Sequence, residues 1–279
     1  MAFLAIITVV QVIKEGYKLF MFKRIHPIPA FQDNYIWAIV SADENELAVV
    51  DPGDPAPVLE FAESHKLNLT HILVTHHHPD HTGGLARLAE KYKPTIFGPR
   101  PSNIKGITNF VAEGDDIQLF GARFSVLEVP GHTLDHIAYF SDDTAPPTLF
   151  CGDTLFAAGC GRLFEGSPAR MFESLAKLTA LASNTAVYCT HEYTMANLKF
   201  AAAADAHNPA LKSRAVAEQA KRNQAQPTLP SSIGLELATN PFLRCDNDQI
   251  IKQLKSQSST ALDSSVDVFA ALRAWKDNF

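Results

Sequence analysis

His76, His78, Asp80 and His81 put four potential metal donors within six residues of chain. Neutral imidazole and carboxylate are natural ligands of borderline divalent ions. Buried in a core without partners, such a cluster would carry a severe desolvation cost. Alternate residues of an extended loop point the same way, so His76 and His78 can converge on one ion. Asp80 and His81, past the bend at Pro79, would face a second position. Three further candidates follow: His132 in Gly131-His-Thr133, Asp153 in Gly152-Asp-Thr154, and His191 ahead of Glu192. Together these are five histidines and two aspartates, enough for two ions with one bridging carboxylate. Two such ions can share a hydroxide and lower its pKa toward neutrality, which is hydrolytic chemistry. His77 lies between donors and His136 begins a strand, so both are read as supporting residues. His26, His65, His71 and His207 have no motif around them. There is no Gly-x-Ser-x-Gly elbow, and no cysteine sits in a recognisable catalytic context.

Every donor group follows an apolar run that reads as a strand: His71–Thr75, Phe124–Val129, Thr148–Cys151 and Val187–Cys189. Open α/β sheets place their binding loops at such strand ends. A hairpin is expected over 35–50, closed by the turn Asp51-Pro-Gly-Asp54, then a helix from Pro55 to Lys66 and another over Leu85–Tyr92. Short strands are expected at 95–97, 116–120 and 137–140, and an amphipathic helix at Ala169–Leu181. After Met195 the pattern turns helical (197–206, 209–224, 246–255 and 264–275), interrupted by a Pro/Ser linker at 226–232. The expected organisation is a strand-rich α/β unit over 21–195 and a helical unit over 196–279.

The chain has 279 residues, 46% of them hydrophobic and 19% charged, which suits a globular protein and excludes a disordered one. The net charge is −6 and no basic stripe exists, so a nucleic-acid partner is not expected. Up to Met195 there are 14 basic and 22 acidic residues, and beyond it 10 and 8, so the acidity belongs to the first unit. The four cysteines Cys151, Cys160, Cys189 and Cys245 show no CxxC spacing and fit a reducing, cytoplasmic setting. Residues 1–13 are nearly all apolar, but a bilayer span needs about 20 such residues, and no signal-peptide features are present. Residues 1–20 are therefore expected to lie outside the fold, with Met21 opening it, and no membrane partner is expected.

The series His76-x-His78-x-Asp80-His81, Gly-His132, Gly-Asp153 and His191 resembles the metallo-β-lactamase fold. Thr75-His-His-His-Pro-Asp-His-Thr-Gly-Gly84, Phe150-Cys-Gly-Asp-Thr-Leu-Phe156, Gly159-Cys-Gly-Arg162 and Thr190-His-Glu-Tyr-Thr194 are similar to the glyoxalase II, or hydroxyacylglutathione hydrolase, family within it. The resemblance runs from about Met21 to the C-terminus and implies an αββα sandwich with a helical C-terminal domain. It implies His76, His78 and His132 on one metal ion, Asp80, His81 and His191 on the other, and Asp153 bridging them. Two ions, zinc first and iron or manganese otherwise, would hold a bridging hydroxide with Asp80 and Asp153 as catalytic groups. The substrate implied is S-D-lactoylglutathione, hydrolysed to D-lactate in methylglyoxal detoxification by a monomer. Glutathione contacts are implied at Arg162, Tyr193 and Arg244. Phe164 departs from a tyrosine found in some members, which removes one phenolic hydrogen bond. The rival is a mono-iron glutathione persulfide dioxygenase of the same fold, disfavoured by the complete second donor set and the helical tail.

Overall fold

The computed structural model describes residues 22–257 and 261–279. The expectations for residues 1–20 and for a start at Met21 lie outside the described residues. Two six-stranded sheets face one another. The first has the order β1 (Phe22–Ala30), β2 (Asn34–Ser41), β3 (Glu46–Val50), β4 (Asn68–Leu73), β5 (Thr95–Pro99), β6 (Asn109–Val111). Its β1–β3 are antiparallel, whereas β3 to β6 run parallel, which needs a crossover after each strand. The helices α1 (Pro55–His65), α2 (Pro79–Thr82) and α3 (Leu85–Tyr92) lie in these crossovers.

The second sheet is built from β7 (Asp116–Leu119), β8 (Ala122–Glu128), β9 (Ile137–Ser141), β10 (Thr148–Gly152), β13 (Ala186–Cys189) and β14 (Ser231–Ser232). A small hairpin, β11 (Leu155–Phe156) and β12 (Gly159–Cys160), precedes helix α4 (Pro168–Thr179). The tail supplies α5 (Thr194–Ala204), α6 (Pro209–Asn223), α7 (Ile233–Thr239), a 3₁₀ turn at Pro241–Leu243, α8 (Asp248–Lys255) and α9 (Ser265–Asp277).

All eight residues of β2 are buried because both faces of its sheet are covered. Ile36, Ala38 and Val40 face α1 and α3, against Val58, Phe61, Leu85 and Leu88. Tyr35, Trp37 and Ile39 point the other way, into the space between the sheets, where they meet Phe124, Tyr139 and Phe150. Helix α4 closes the outer side with Met171, Leu175 and Leu178, which completes the αββα sandwich. Phe200, Phe242 and Phe269 of the tail belong to the same buried cluster.

Two expectations differ from the structure. Residues 226–232 are no free linker: Ser231–Ser232 forms β14, pairing antiparallel with Ala186–Val187 at the edge of the second sheet. Strand β4 ends at Leu73 instead of Thr75. The reason is a competing acceptor: the Asp51 carboxylate takes the Thr75 N–H at 2.8 Å and the Thr75 hydroxyl at 2.7 Å. Among the described residues no helix is long and apolar enough to cross a membrane.

Candidate metal centre

The loop after β4 leaves the sheet at Thr75, and Pro79 starts α2 with its fixed φ. That turn carries Asp80 and His81 back toward His76. His132 follows β8, Asp153 follows the last residue of β10, and His191 follows β13. The seven expected donors all meet at this end of the sandwich. Three overlapping sets have ligand atoms close enough to hold an ion: His76/His78/His132, His76/His81/Asp153 and Asp80/His81/His191.

His78 Nδ1 lies 3.1 Å from His76 Nε2 and 3.1 Å from His132 Nε2. Asp153 sits centrally, with Oδ2 3.5 Å from His132 Nε2 and 3.2 Å from His191 Nε2, and Oδ1 3.5 Å from His81 Nε2. Asp80 Oδ2 lies 3.5 Å from His81 Nε2 and 3.6 Å from His191 Nε2. His76, His81, His132, Asp153 and His191 are buried, whereas His78 and Asp80 are half-buried.

The hydrogen bonds behind these donors fix where their lone pairs point. His132 Nδ1 donates to the Arg162 carbonyl (2.8 Å), so in the neutral ring Nε2 offers its lone pair to the centre. His191 Nδ1 donates to Asp33 Oδ1 (2.8 Å), with the same result. His76 Nδ1 sits 3.0 Å from the Thr75 hydroxyl. Asn34 donates to Asp80 Oδ2 at 3.1 Å. His81 Nδ1 lies 3.0 Å from Asp51 Oδ2, in poor alignment for a hydrogen bond. His81 Nε2 and Asp153 Oδ1 are buried without a hydrogen-bond partner among the described residues.

Converging lone pairs and orphaned donor atoms are costly without a cation and are satisfied by one. The protonation tendencies agree. Burial keeps His76 neutral, well below the usual imidazole range, and lowers His78 and His132 as well. Burial opposes protonation of His81 and His191 too, but the Asp153 carboxylate overcomes it and raises both. A divalent ion can take the place of those protons. The cluster is able to bind metal ions.

Backbone geometry brings the pieces this close. Gly152 has φ +48°, and a Cβ there would lie 2.4 Å from the Thr75 hydroxyl and 2.8 Å from the His136 ring. A Cβ on Gly53, in the turn after β3, would lie 1.8 Å from the Asp80 carbonyl oxygen. His136 is packed flat on His76, its Nε2 accepting the Asp153 N–H at 3.0 Å, so it supports the centre. His77 turns away, toward Asp135 and Glu165.

A cavity of about 670 Å³ opens over the cluster. Arg162 and Tyr193 line it, with Tyr193 stacked on His191 at 4.6 Å. Burial, then the carboxylates of Asp33, Asp153 and Asp80, push the Tyr193 hydroxyl up to about 12, so it stays protonated and able to donate. Phe164 stands at the rim, largely exposed, edge-on to His78 and His132. Arg244 does not line the cavity. Its Nε donates to the buried Asp205 carboxylate at 3.1 Å, which ties the 3₁₀ turn to the end of α5. The cations that the helical tail does bring to the cavity are Arg273 and Lys276 of α9. They stand three residues apart on one helix face, a spacing legible in the sequence but unread there. Asp33, Asn34 and Asp51 were equally unread; an acidic residue closing a strand, as Asp51 does, was the available signal.

Residues 31–191 match the metallo-β-lactamase superfamily, and residues 192–279 match the family described as the hydroxyacylglutathione hydrolase C-terminus. A hydroxyacylglutathione hydrolase of Chromohalobacter salexigens is 50% identical over 253 residues, covering 91% of this chain and 98% of its own. Among solved structures, ETHE1 from Myxococcus xanthus superposes with a TM-score of 0.61 at 22% identity over 91% of this chain and all of its own. A chain crystallised in a di-iron-bound form (TTHA1623) gives 0.55 at 25% identity, covering 79% of this chain and all of its own. The ETHE1 likeness speaks to the fold alone. The sequence match spans both the donor-bearing sandwich and the tail that brings Arg273 and Lys276, and on that ground the chain belongs to the hydroxyacylglutathione hydrolase family of the metallo-β-lactamase superfamily.

Proposed function

We propose that this chain hydrolyses S-(2-hydroxyacyl)glutathione thioesters, S-D-lactoylglutathione among them, to glutathione and the 2-hydroxy acid. This is the second step of methylglyoxal detoxification. One observation carries the reading beyond family membership: a single cavity has the metal-competent cluster at its floor and Arg162, Arg273 and Lys276 in its lining. Glutathione carries two carboxylates and one ammonium near neutral pH, so a cationic wall suits it.

His76, His78 and His132 would hold one divalent ion and Asp80, His81 and His191 the other, with Asp153 between them. Zinc is the metal we favour; iron and manganese suit the same donors, and a similar chain crystallised in a di-iron-bound form is in keeping with a two-ion site. When bound, such a pair polarises a thioester carbonyl and makes water nucleophilic near neutral pH. Asp153, held by its N–H on His136, and Asp80, held by Asn34, keep the carboxylates aimed at that pair. Tyr193 donates its hydroxyl to the bound thioester or its carrier. Arg273 and Lys276 would anchor a carboxylate of glutathione, and Phe156 and Phe164 shield the site from bulk water. Thiolate leaves readily, so no general acid is required.

Residues 21–195 would thus supply the chemistry and 196–279 the grip on the thiol carrier. A cytoplasmic setting fits four cysteines that are free and buried, and the chain is proposed to act as a monomer. Steady-state hydrolysis of S-D-lactoylglutathione by protein with two ions per chain tests the proposal. Oxygen uptake with glutathione persulfide, in place of hydrolysis, would overturn it in favour of a dioxygenase.

A further inference from the structure

The hairpin β11–β12 starts just after Asp153 and ends just before Arg162, so it joins a metal donor to the cavity wall. Its Phe156 lies edge-on to both His191 and Tyr193, with ring centroids 5.8 Å and 5.4 Å away. On the return, Gly161 N–H donates to the Thr154 carbonyl at 3.1 Å, and a Cβ on Gly161 would lie 2.0 Å from the Asp153 carbonyl oxygen. The Arg162 carbonyl then sits 2.8 Å from His132 Nδ1. A ribbon with two residues in each strand cannot hold this course by its own ladder.

The helical tail holds it instead, because each residue from Phe156 to Cys160 has a backbone group bonded to a tail side chain. Asn240 Nδ2 donates to the Phe156 carbonyl at 3.3 Å and to the Gly159 carbonyl at 2.8 Å. Asn197 Nδ2 of α5 donates to the Ala157 carbonyl at 3.0 Å, and Arg273 Nη1 of α9 to the Cys160 carbonyl at 3.0 Å. The Ala158 N–H donates to Glu236 Oε2 of α7 at 2.8 Å. Ala158 has φ +56°, a left-handed conformation that an alanine keeps only where its surroundings impose it. Glu236 is fully buried and accepts on both sides. Its Oε1 takes Arg214 Nη2 at 2.6 Å and the Ser231 hydroxyl, while Oε2 takes the Ala158 N–H and Asn240 Nδ2 at 3.1 Å. Only a carboxylate can serve donors on both oxygens without offering a donor of its own.

We infer that Glu236 is a positioning residue for the substrate cavity: together with Asn240 it clamps the β11–β12 turn, which keeps Phe156 against His191 and Tyr193. The tail then shapes the wall beside the metal centre, besides bringing cations to it. Glu236 itself is neither among the metal donors nor in the cavity lining. The kinetic half of the inference rests on the hydrolase reading; the structural half does not.

Glu236→Gln isolates the clamp. Arg214 stays charged and takes the amide oxygen, which turns the NH₂ toward the Ala158 N–H and the Asn240 NH₂, donor against donor. Thr239→Val is the comparison: its hydroxyl accepts from Arg214 Nη1 at 2.6 Å but makes no hydrogen bond to the hairpin among the described residues. Both variants should lower the melting temperature of the metal-loaded protein. Only Glu236→Gln should speed amide hydrogen exchange across residues 155–162, about tenfold, and lower kcat for S-D-lactoylglutathione about fivefold at full metal content, with KM changed less. Unchanged exchange at 155–162 in Glu236→Gln, or equal kcat losses in the two variants, would overturn the inference. If Glu236→Gln does not fold, Asn240→Ser decides. Serine keeps a cap on the 3₁₀ turn but cannot reach the Phe156 and Gly159 carbonyls, so exchange at 155–162 should again quicken. Protection equal to wild type there would overturn the clamp. Exchange needs no substrate: an inactive wild type would sink the hydrolase reading, and the exchange comparison would still decide the clamp.

Discussion

Replacing Lys276 by alanine removes the ammonium that the helical tail brings to the cavity. Its surroundings are already positive: burial, then the guanidiniums of Arg273 and Arg162, lower its pKa, with Asp277 offsetting only part of the repulsion. Arg273 is committed in part, donating to Asp277 Oδ1 at 2.8 Å and to the Cys160 carbonyl at 3.0 Å. Lys276 stands over the Phe200 ring at 5.6 Å, with no other partner among the described hydrogen bonds. It is therefore the cation most available to an incoming carboxylate. A hydrogen bond to a charged group is worth about 1.5–3 kcal/mol, and partial exposure screens it toward about 1–2 kcal/mol. That corresponds to a roughly five- to thirtyfold rise in KM. The contact is remote from the reacting carbonyl and acts alike on ground and transition states, so kcat should hold. Steady-state hydrolysis of S-D-lactoylglutathione at constant metal content reads both parameters, with Arg244→Ala as the internal comparison. Arg244→Ala should leave KM unchanged while lowering thermal stability, because it strips the buried Asp205 of its cation. An unchanged KM in Lys276→Ala, or a raised one in Arg244→Ala, would refute the assignment of the carboxylate site to α9.

Asp153→Asn should lose most turnover and lower the metal content below two ions per chain, since a neutral amide bridges cations poorly; full content by elemental analysis would remove Asp153 from the bridge. Asp51→Asn, at a residue touching no ion, should weaken metal retention about 10–100-fold in chelator competition through loss of the charge beside His81. Metal-free protein should lose stability between pH 7 and 9. His81 and His191 have raised pKa values, so their stabilisation is complete below the ordinary 6.5 and fades as pH climbs through the raised values. The depressed His76 and His136 contribute no slope there, being neutral in both states. A melting temperature of metal-free protein that stays flat or rises over that range would contradict this. Gly53→Ala should cost at least about 1–3 kcal/mol, several degrees of melting temperature, because its Cβ meets backbone at Asp80.

Much of the chemistry was legible in the residues alone. A metal ligand set is defined by donor type, and imidazole and carboxylate at strand ends declare themselves however the chain folds. His76, His78, Asp80, His81, His132, Asp153 and His191 could be picked out for that reason, and the structure brings them together. Period-two and helical patterning likewise marked the hairpin of β2 and β3 and the helices α1 and α3, because burial on one or both faces leaves a mark on composition. What the tertiary structure decided was partnership. Asp51 looks like a turn residue until the loop after β4 folds back to put Thr75 and His81 against its carboxylate. Residues 226–232 read as a linker because their local pattern is Pro/Ser-rich, yet Ser231–Ser232 finds a sheet edge provided by strands far away in sequence. Arg244, Arg273 and Lys276 are equivalent as sequence, three long cations in one tail. Only the docking of α9 beside the cavity, and the pairing of Arg244 with Asp205, gives them different surroundings. Charge is written in the chain, whereas the neighbour that uses it is set by packing.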